Sequence, residues 1–281
     1  MTQQITLWEI LNVPQNNPQS RFEESLDDGV VGEAWQYKMR KEYAEQEAAL
    51  PYWEDYDLSL DRSVVKEVSY AEAKRIIDKY EWLGCMPVCV RHCYGIFFPH
   101  KVDERMQLLG GVTVFAQEYA ENLGTWDKYG WTGNIILLAR GVNLHFCPKN
   151  ANSKLIMESI KLLPEKYKVV TCTIDVLAGE VGTIYQSCNF VYAGVMRKSK
   201  ERMGYLIDGK LYGSRSLKQK FGNIRQETIL AQHPDAKFIK QKSKGRYFYF
   251  RGTKKERKEN YKKIEHLVKP YPKRGVKGAV S

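Results

Sequence analysis

The apolar positions of the chain follow two periods, and their order predicts an α/β fold. In residues 68–84 (VSYAEAKRIIDKYEWLG), Ile76, Ile77 and Tyr80 continue one helical face. Ser69 with Glu72 has capping-box spacing, and Gly84 ends the helix. Residues 89–98 (CVRHCYGIFF) alternate, 99–105 form a turn, and 108–115 (LLGGVTVF) alternate again, which predicts a hairpin. Residues 119–134 are polar, aromatic and glycine-containing and read as a loop. From Ile135 to Val195 the pattern reads strand, turn, helix, strand, helix, strand. The apolar run 135–146 is broken at Arg140-Gly141, and 147–154 is a polar turn. Leu155, Ile156, Ile160 and Leu163 then recur at helical spacing. Residues 167–176 (YKVVTCTIDV) are short and β-branched, hence a buried strand. Residues 179–196 give a short helix ending near Asn189 and one more strand.

The flanks are less regular. ITLWEIL near the start suggests a short helix, and 32–50 a helix of good formers ended by Pro51. After Val195, Asp208-Gly209 between YLI and KLYG marks a hairpin. A helix is expected around Ile224–His233, stopped by Pro234. Residues 244–252 (KGRYFYFRG) form an aromatic strand flanked by charge, and 254–268 a basic helix or tail. The expected organisation is an N-terminal extension (1–60), an α/β core (61–196), a basic extension (197–268) and a disordered tail (269–281).

Charge sharpens this division. Residues 1–60 hold 4 Lys/Arg against 12 Asp/Glu, and 61–195 hold 15 against 14. Residues 196–281 hold 25 against 7. A basic segment of that density, interleaved with aromatics, fits a polyanionic partner, because neutralising phosphates releases counterions; a solvated basic surface is the alternative. No run of 18 apolar residues occurs, so no membrane span is expected. The first residues lack a basic region followed by an apolar core, which points to a cytoplasmic protein with reduced cysteines. Cys85, Cys89, His92 and Cys93 match no zinc signature, and no metal site is expected there.

Asn150, Asn152 and Ser153 are good N-caps, and the start of the helix they precede could hold a pyrophosphate on its unpaired N–H groups. Arg140, Lys149, Asn152, Ser153 and Lys154 are the candidate donor grip, with exposed surface as the alternative for the two lysines. Gly182 and Thr183 would let backbone approach a ligand closely. From the residues alone, Asp175 reads as a helix cap and Tyr185 as a core aromatic. Lys240, Lys242, Lys244, Arg246, Tyr247 and Tyr249 are candidate nucleic-acid contacts, cations for phosphates and rings for bases. A core strand flanked by surface lysines is the other reading.

The strand, turn, helix, strand, then a helix with a Tyr before Asn189-Phe190, is similar to the coenzyme A site of the GNAT acyltransferase superfamily. More narrowly, LARGVNLHFCPKNANSKLI, TIDVLAGEVGTIYQSCNF and KSKGRYFYF resemble the phage Mom family, over roughly residues 74–260. The resemblance implies a GNAT-like mixed sheet flanked by helices, and an acyl-coenzyme A or related acyl donor. It implies transfer of a carbamoylmethyl-type group to N6 of adenine in double-stranded DNA, protecting phage DNA from host restriction. It assigns function to Asp175 and Tyr185. A Tyr hydroxyl can protonate a departing thiolate, and an Asp can orient or deprotonate an exocyclic amine. Many Mom-like proteins carry His-Tyr where this chain has Glu81-Trp82. Glu81 would then substitute as a base and Trp82 stack on adenine; a surface Glu and a core Trp are the alternative. The superfamily's Gly-rich, arginine-headed turn is reduced here to Gly141 and an NANS turn. The competing functions are a non-catalytic nucleic-acid-binding protein of degenerate GNAT fold, and a GNAT enzyme acting on a protein or small amine.

Overall fold

The computed structural model describes residues 33–49, 51–118, 124–194, 202–208, 210–222, 225–241 and 244–274. In chain order the elements are α1 (Trp35–Glu47), β1 (Val64–Glu67), α2 (Tyr70–Tyr80), β2 (Val90–Pro99), β3 (Gln107–Gln117), β4 (Ile135–Asn143), α3 (Ala151–Leu162) and β5 (Val169–Ile174). Then come α4 (Thr183–Ser187), β6 (Val191–Tyr192), β7 (Arg202–Ile207), β8 (Lys210–Gly213), α5 (Ser214–Phe221), α6 (Gln226–Gln232), β9 (Lys237–Gln241), β10 (Gly245–Phe250) and α7 (Lys254–Ile264).

Seven strands make one mixed sheet in the order β1-β2-β3-β4-β5-β10-β6. Every neighbouring pair is antiparallel except β4 and β5, the two strands joined through α3. The capping box at Ser69 and Glu72 starts α2 as the spacing predicts. Its Ala73, Ile76 and Ile77 pack on Val112, Val114 and Val142 of β3 and β4. Burying each large aliphatic side chain is worth about 1.5–3 kcal/mol. The opposite face holds α3, whose Ile156 and Ile160 pack with Phe115, Leu138, Val170 and Cys172. Ser159 of α3 also reaches Thr113 across 2.8 Å, a buried hydroxyl pair.

The domain boundary expected at residue 197 does not hold. β10, read as part of a basic extension, is an interior strand of the sheet. Tyr247 pairs with Cys172 on one side and Tyr192 on the other. Its side chains alternate between the two faces: Tyr247 joins the core under α3, while Phe248 and Phe250 pack with Trp126, Tyr129, Trp131 and Ile264. What lies between β6 and β10 is an inserted module. It is a three-stranded sheet, β8-β7-β9, covered by α5 and α6, with its own core of Tyr205, Ile207, Tyr212, Leu217 and Ile229. Residues 195–244 hold 13 Lys/Arg against 4 Asp/Glu, so the insertion is strongly basic.

One further expectation changes, that of a disordered tail, and two regions gain contacts that the sequence does not show. The loop 119–134 carries the fully buried Trp126 and Trp131, and Trp131 Nε1 donates to Asn260 of α7 at 2.8 Å. Residues 269–274 of the expected tail are ordered on the sheet edge. Lys269 N–H donates to Tyr192 O (2.9 Å), Tyr271 OH to Phe190 O (2.8 Å) and Arg274 to Gly179 O (2.9 Å). The part of the acidic extension that is described is docked on the core. Gln36 of α1 donates to Tyr80 O (2.8 Å) and accepts from Trp82 N–H (3.0 Å), and Arg40 donates to the carbonyls of His145 and Cys147. ITLWEIL, Gly209 of the turn and the last residues of the tail lie outside the described residues. Among the described residues no helix is long and apolar enough to cross a membrane.

Candidate active site

The sheet opens where its two parallel strands part. β4 and β5 pair only from Ile135–Val169 to Leu137–Thr171. Beyond that point β4 stays on β3 as far as Asn143, and β5 stays on β10 as far as Ile174. A bulge in β4 between Leu138 and Arg140 falls at the parting. A wedge is therefore left at the carboxyl ends of two parallel strands, the usual place for a ligand in such sheets.

Ionisable side chains converge on that wedge from four elements. On the β4 side, Arg140 Nε donates to Cys85 O at 3.0 Å and lies 3.8 Å from Glu81. Glu81 is buried at 5% exposure and also accepts from the Leu83 and Gly84 amides at 2.9 and 3.2 Å. Burial holds its carboxyl above the usual range, against the pull of Arg140. On the β5 side, Asp175 ends the strand and pairs with Lys244 at 3.3 Å. Tyr185 of α4 places its hydroxyl against the Cys172 thiol, and burial raises both groups well above their ordinary values. A phenol so placed stays protonated at neutral pH and can serve as a proton donor.

Glu180, absent from the sequence-based candidates, joins the two sides. Its Oε1 accepts from the Trp82 indole N–H at 3.0 Å and its Oε2 from the Asp175 amide at 2.7 Å. Burial, with the neighbouring Asp175 and Glu81 charges, pushes its carboxyl up to about 7, against Lys244 and the Asp175 amide. A sequence signal existed. Glu180 is the second acid of the DVLAGEVG stretch and follows Gly179, whose positive φ turns the loop back on Asp175.

Several predicted site residues do other work. Lys154 Nζ is spent on the carbonyls of Leu60 and Ser63 (2.8 Å to Ser63). Arg140 is spent on Cys85 O, Ala139 O and Glu81, so neither cation is presented to a donor phosphate. Gly182 makes room for protein, since a Cβ there would lie 2.7 Å from the Tyr247 ring. Thr183 is exposed on the first turn of a five-residue helix. Tyr247 is fully buried with its hydroxyl on Val181 O (2.7 Å), and cannot reach a base. Tyr249 packs on Phe190, and Arg246 pairs with the buried Glu118 (3.3 Å) over the Trp126 ring. Trp82 is 9% exposed, set edge-on to Trp35, and is a wall rather than an open stacking platform. Lys240 lies on β9, and Lys242 is outside the described residues.

The turn before α3 carries backbone donors of a different kind. Asn150 has positive φ, and the Asn152 amide is satisfied by the Asn143 side chain. The amides of Lys149, Asn150 and Ser153 make no hydrogen bond within the described residues. Lys149 is exposed beside them, and the Ser153 hydroxyl faces that of Ser187 at 3.1 Å. Among the described residues no group of three or more His, Cys, Asp or Glu is placed to hold a metal.

The family model described as the Mom protein family matches residues 62–273, from just before β1 through the inserted module and α7 to the segment on the sheet edge. The chain belongs to the Mom protein family. The Mom match thus treats the module and β10 as integral. No curated protein matches the chain. Among solved structures, this Mom-family chain is similar to Arabidopsis thaliana NAA60 in complex with a bisubstrate analogue, at 12% identity and TM-score 0.39, covering 68% of this chain and 99% of that one. It is also similar to spermidine N-acetyltransferase from Vibrio cholerae (8% identity, TM-score 0.35, 68% and 94% covered). A third is FeeM, an N-acyl amino acid synthase from uncultured soil microbes (13%, TM-score 0.35, 67% and 92% covered).

Proposed function

We propose that this Mom-family chain is a transferase that places an acyl-derived group, of carbamoylmethyl type, on N6 of adenine in double-stranded DNA, shielding phage DNA from host restriction. The observation that carries the reading is the meeting of Asp175, Glu81 and the Tyr185 phenol at the parting of β4 and β5. A donor such as an acyl-coenzyme A would supply an electrophilic carbonyl carbon: the N6–C bond forms as the C–S bond breaks, giving an N6-acyl adenine, and a carbamoylmethyl product then requires an isomerising step of that acyl group. The amides of Lys149, Asn150 and Ser153, with the Lys149 ammonium, fit its anionic part. Arg140 and Lys154 do not contribute, being bonded to the protein. Asp175 would orient the amine and receive its proton, and Tyr185 would hand a proton to the departing atom. An adenine in a duplex is stacked, so the base must be flipped out to reach these groups. The basic module and the exposed cations of α7 (Lys254, Lys255, Arg257, Lys258 and Lys262) support a grip on the phosphates.

The test is mass spectrometry of nucleosides from DNA of cells expressing the protein. N6-modified adenine is the expected result. DNA binding with only ordinary adenine would favour the non-catalytic reading. An acylated protein or small amine, with adenine unchanged, would move the acceptor elsewhere.

A further inference from the structure

We infer that Glu180 is a further positioning residue of this centre: its carboxylate clasps the Glu81–Trp82 loop to the end of β5 across the wedge, and the clasp loosens when the carboxylate takes a proton. The two bonds run to opposite banks. One goes to the indole of Trp82, on the loop whose Glu81 and Cys85 hold Arg140 of β4. The other goes to the amide of Asp175, the first residue after β5, where the returning loop begins. Glu180 N–H in turn donates to Asp175 O at 3.2 Å, so loop and strand end are closed on each other. One side chain thus ties the segment that carries Glu81 to the residue that follows β5, Asp175.

Both bonds take N–H donors, and both are stronger to a carboxylate than to a neutral acid. Glu81 from the α2 loop and Asp175 from β5 add negative charge and favour a proton on Glu180. Lys244, entering β10, opposes it. The Tyr185 phenol on α4 and the Cys172 thiol on β5 are neutral neighbours, and Arg274 reaches the Gly179 carbonyl beside it. Those groups leave the carboxyl titrating at about 7, inside the range where an enzyme works. Proton uptake weakens the charge-assisted bonds, and the Trp82 indole N–H is the donor that reports it.

The inference rests on the transferase reading only where activity is measured. The deciding measurement is NMR of the full chain with 15N-labelled tryptophan, the Trp82 indole signal being assigned by its loss in Trp82→Phe. The signal should shift with pH through a midpoint near 7, and the shift should vanish in Glu180→Gln. A Trp82 signal that stays flat between about pH 5 and about pH 9 overturns the clasp, with no need for a Glu180 variant that folds. In the activity arm, adenine modification should rise through the same midpoint. Glu180→Gln should lower kcat by about tenfold or more while DNA affinity and KM for DNA hold. A titrating indole in a protein that modifies no adenine supports the clasp and sinks the transferase reading. Normal modification with a flat indole signal does the reverse.

Discussion

Tyr192 and Tyr247 are register partners on adjacent antiparallel strands, although the whole three-stranded module lies between them in the chain. The module therefore leaves and re-enters the sheet at one point. Replacing residues 196–243 with a short Gly-containing turn should keep the sheet and its thermal unfolding, because Ala193 and Gly194 already bond Arg246 across the gap. It should also flatten the salt dependence of DNA binding. With roughly 0.9 of log–log slope lost per phosphate contact, a reduction of about 3–5 is expected. An unchanged slope would place the phosphate grip on α7 and the rest of the sheet. Truncation after Arg197, by contrast, removes β10 and should unfold the protein.

Asp175→Asn and Tyr185→Phe keep shape and remove the groups that would move protons, Asp175→Asn also removing the charge that pairs with Lys244. Both should abolish adenine modification while leaving duplex affinity within about twofold. Mass spectrometry of nucleosides alongside a binding titration checks this. Wild-type levels of modified adenine in both variants would show that the proton chemistry lies elsewhere, with Glu81 next to be substituted.

Trp82 bears on stability as well as on the site. Its ring is buried beside Trp35 and its indole N–H is taken by Glu180. Trp82→Ala should cost about 3–5 kcal/mol of unfolding free energy, visible as a large drop in melting temperature. Trp82→Phe should recover much of the packing but not the bond to Glu180. If Trp82→Ala instead left stability intact and selectively weakened binding to DNA with a bulged adenine, the ring would be a stacking platform after all.

Glu47 gives a pH dependence with a defined sign. Burial alone would raise its pKa, but donation from Lys79 (2.8 Å) and Tyr80 (2.8 Å) outweighs it and the pKa falls below 4.5. A carboxyl lowered in the folded state stabilises the fold above its unfolded pKa and loses that stabilisation as pH falls through the folded value. Glu47→Gln should therefore cost about 1–3 kcal/mol at neutral pH and converge with wild type at an acid pH below the lowered folded-state value. Urea unfolding at both pH values measures it. An equal deficit at both would mean that Glu47 acts through packing rather than charge.

The parts legible in the sequence were those fixed by local rules. The Ser69–Glu72 box, the β2–β3 hairpin, the helix–strand run from α3 to β5 and the end of α6 before Pro234 depend on neighbours a few residues apart. The place of β10 was not legible, because KGRYFYF says that a strand forms and not which edges it joins. Its alternation did hold the hint, since rings on both faces suit an interior strand. In the site, Asp175 and Tyr185 were named from resemblance, whereas Glu180 was passed over as a loop residue. Arg140 and Lys154 were misassigned for a related reason. A cation in a sequence does not announce its partner, and theirs include backbone carbonyls far away in the chain.

The interior place of β10 also governs how the protein is made. A ribosome must pass Phe250 before the strand that separates β5 from β6 exists. Until then both strands offer bare N–H and C=O edges, a hazard for pairing with other chains, and Asp175 waits for Lys244. The acids near the wedge are synthesised early, but the sheet that arranges them closes late. An unfinished chain therefore carries these side chains without their order, and they are set only after β10 has been made.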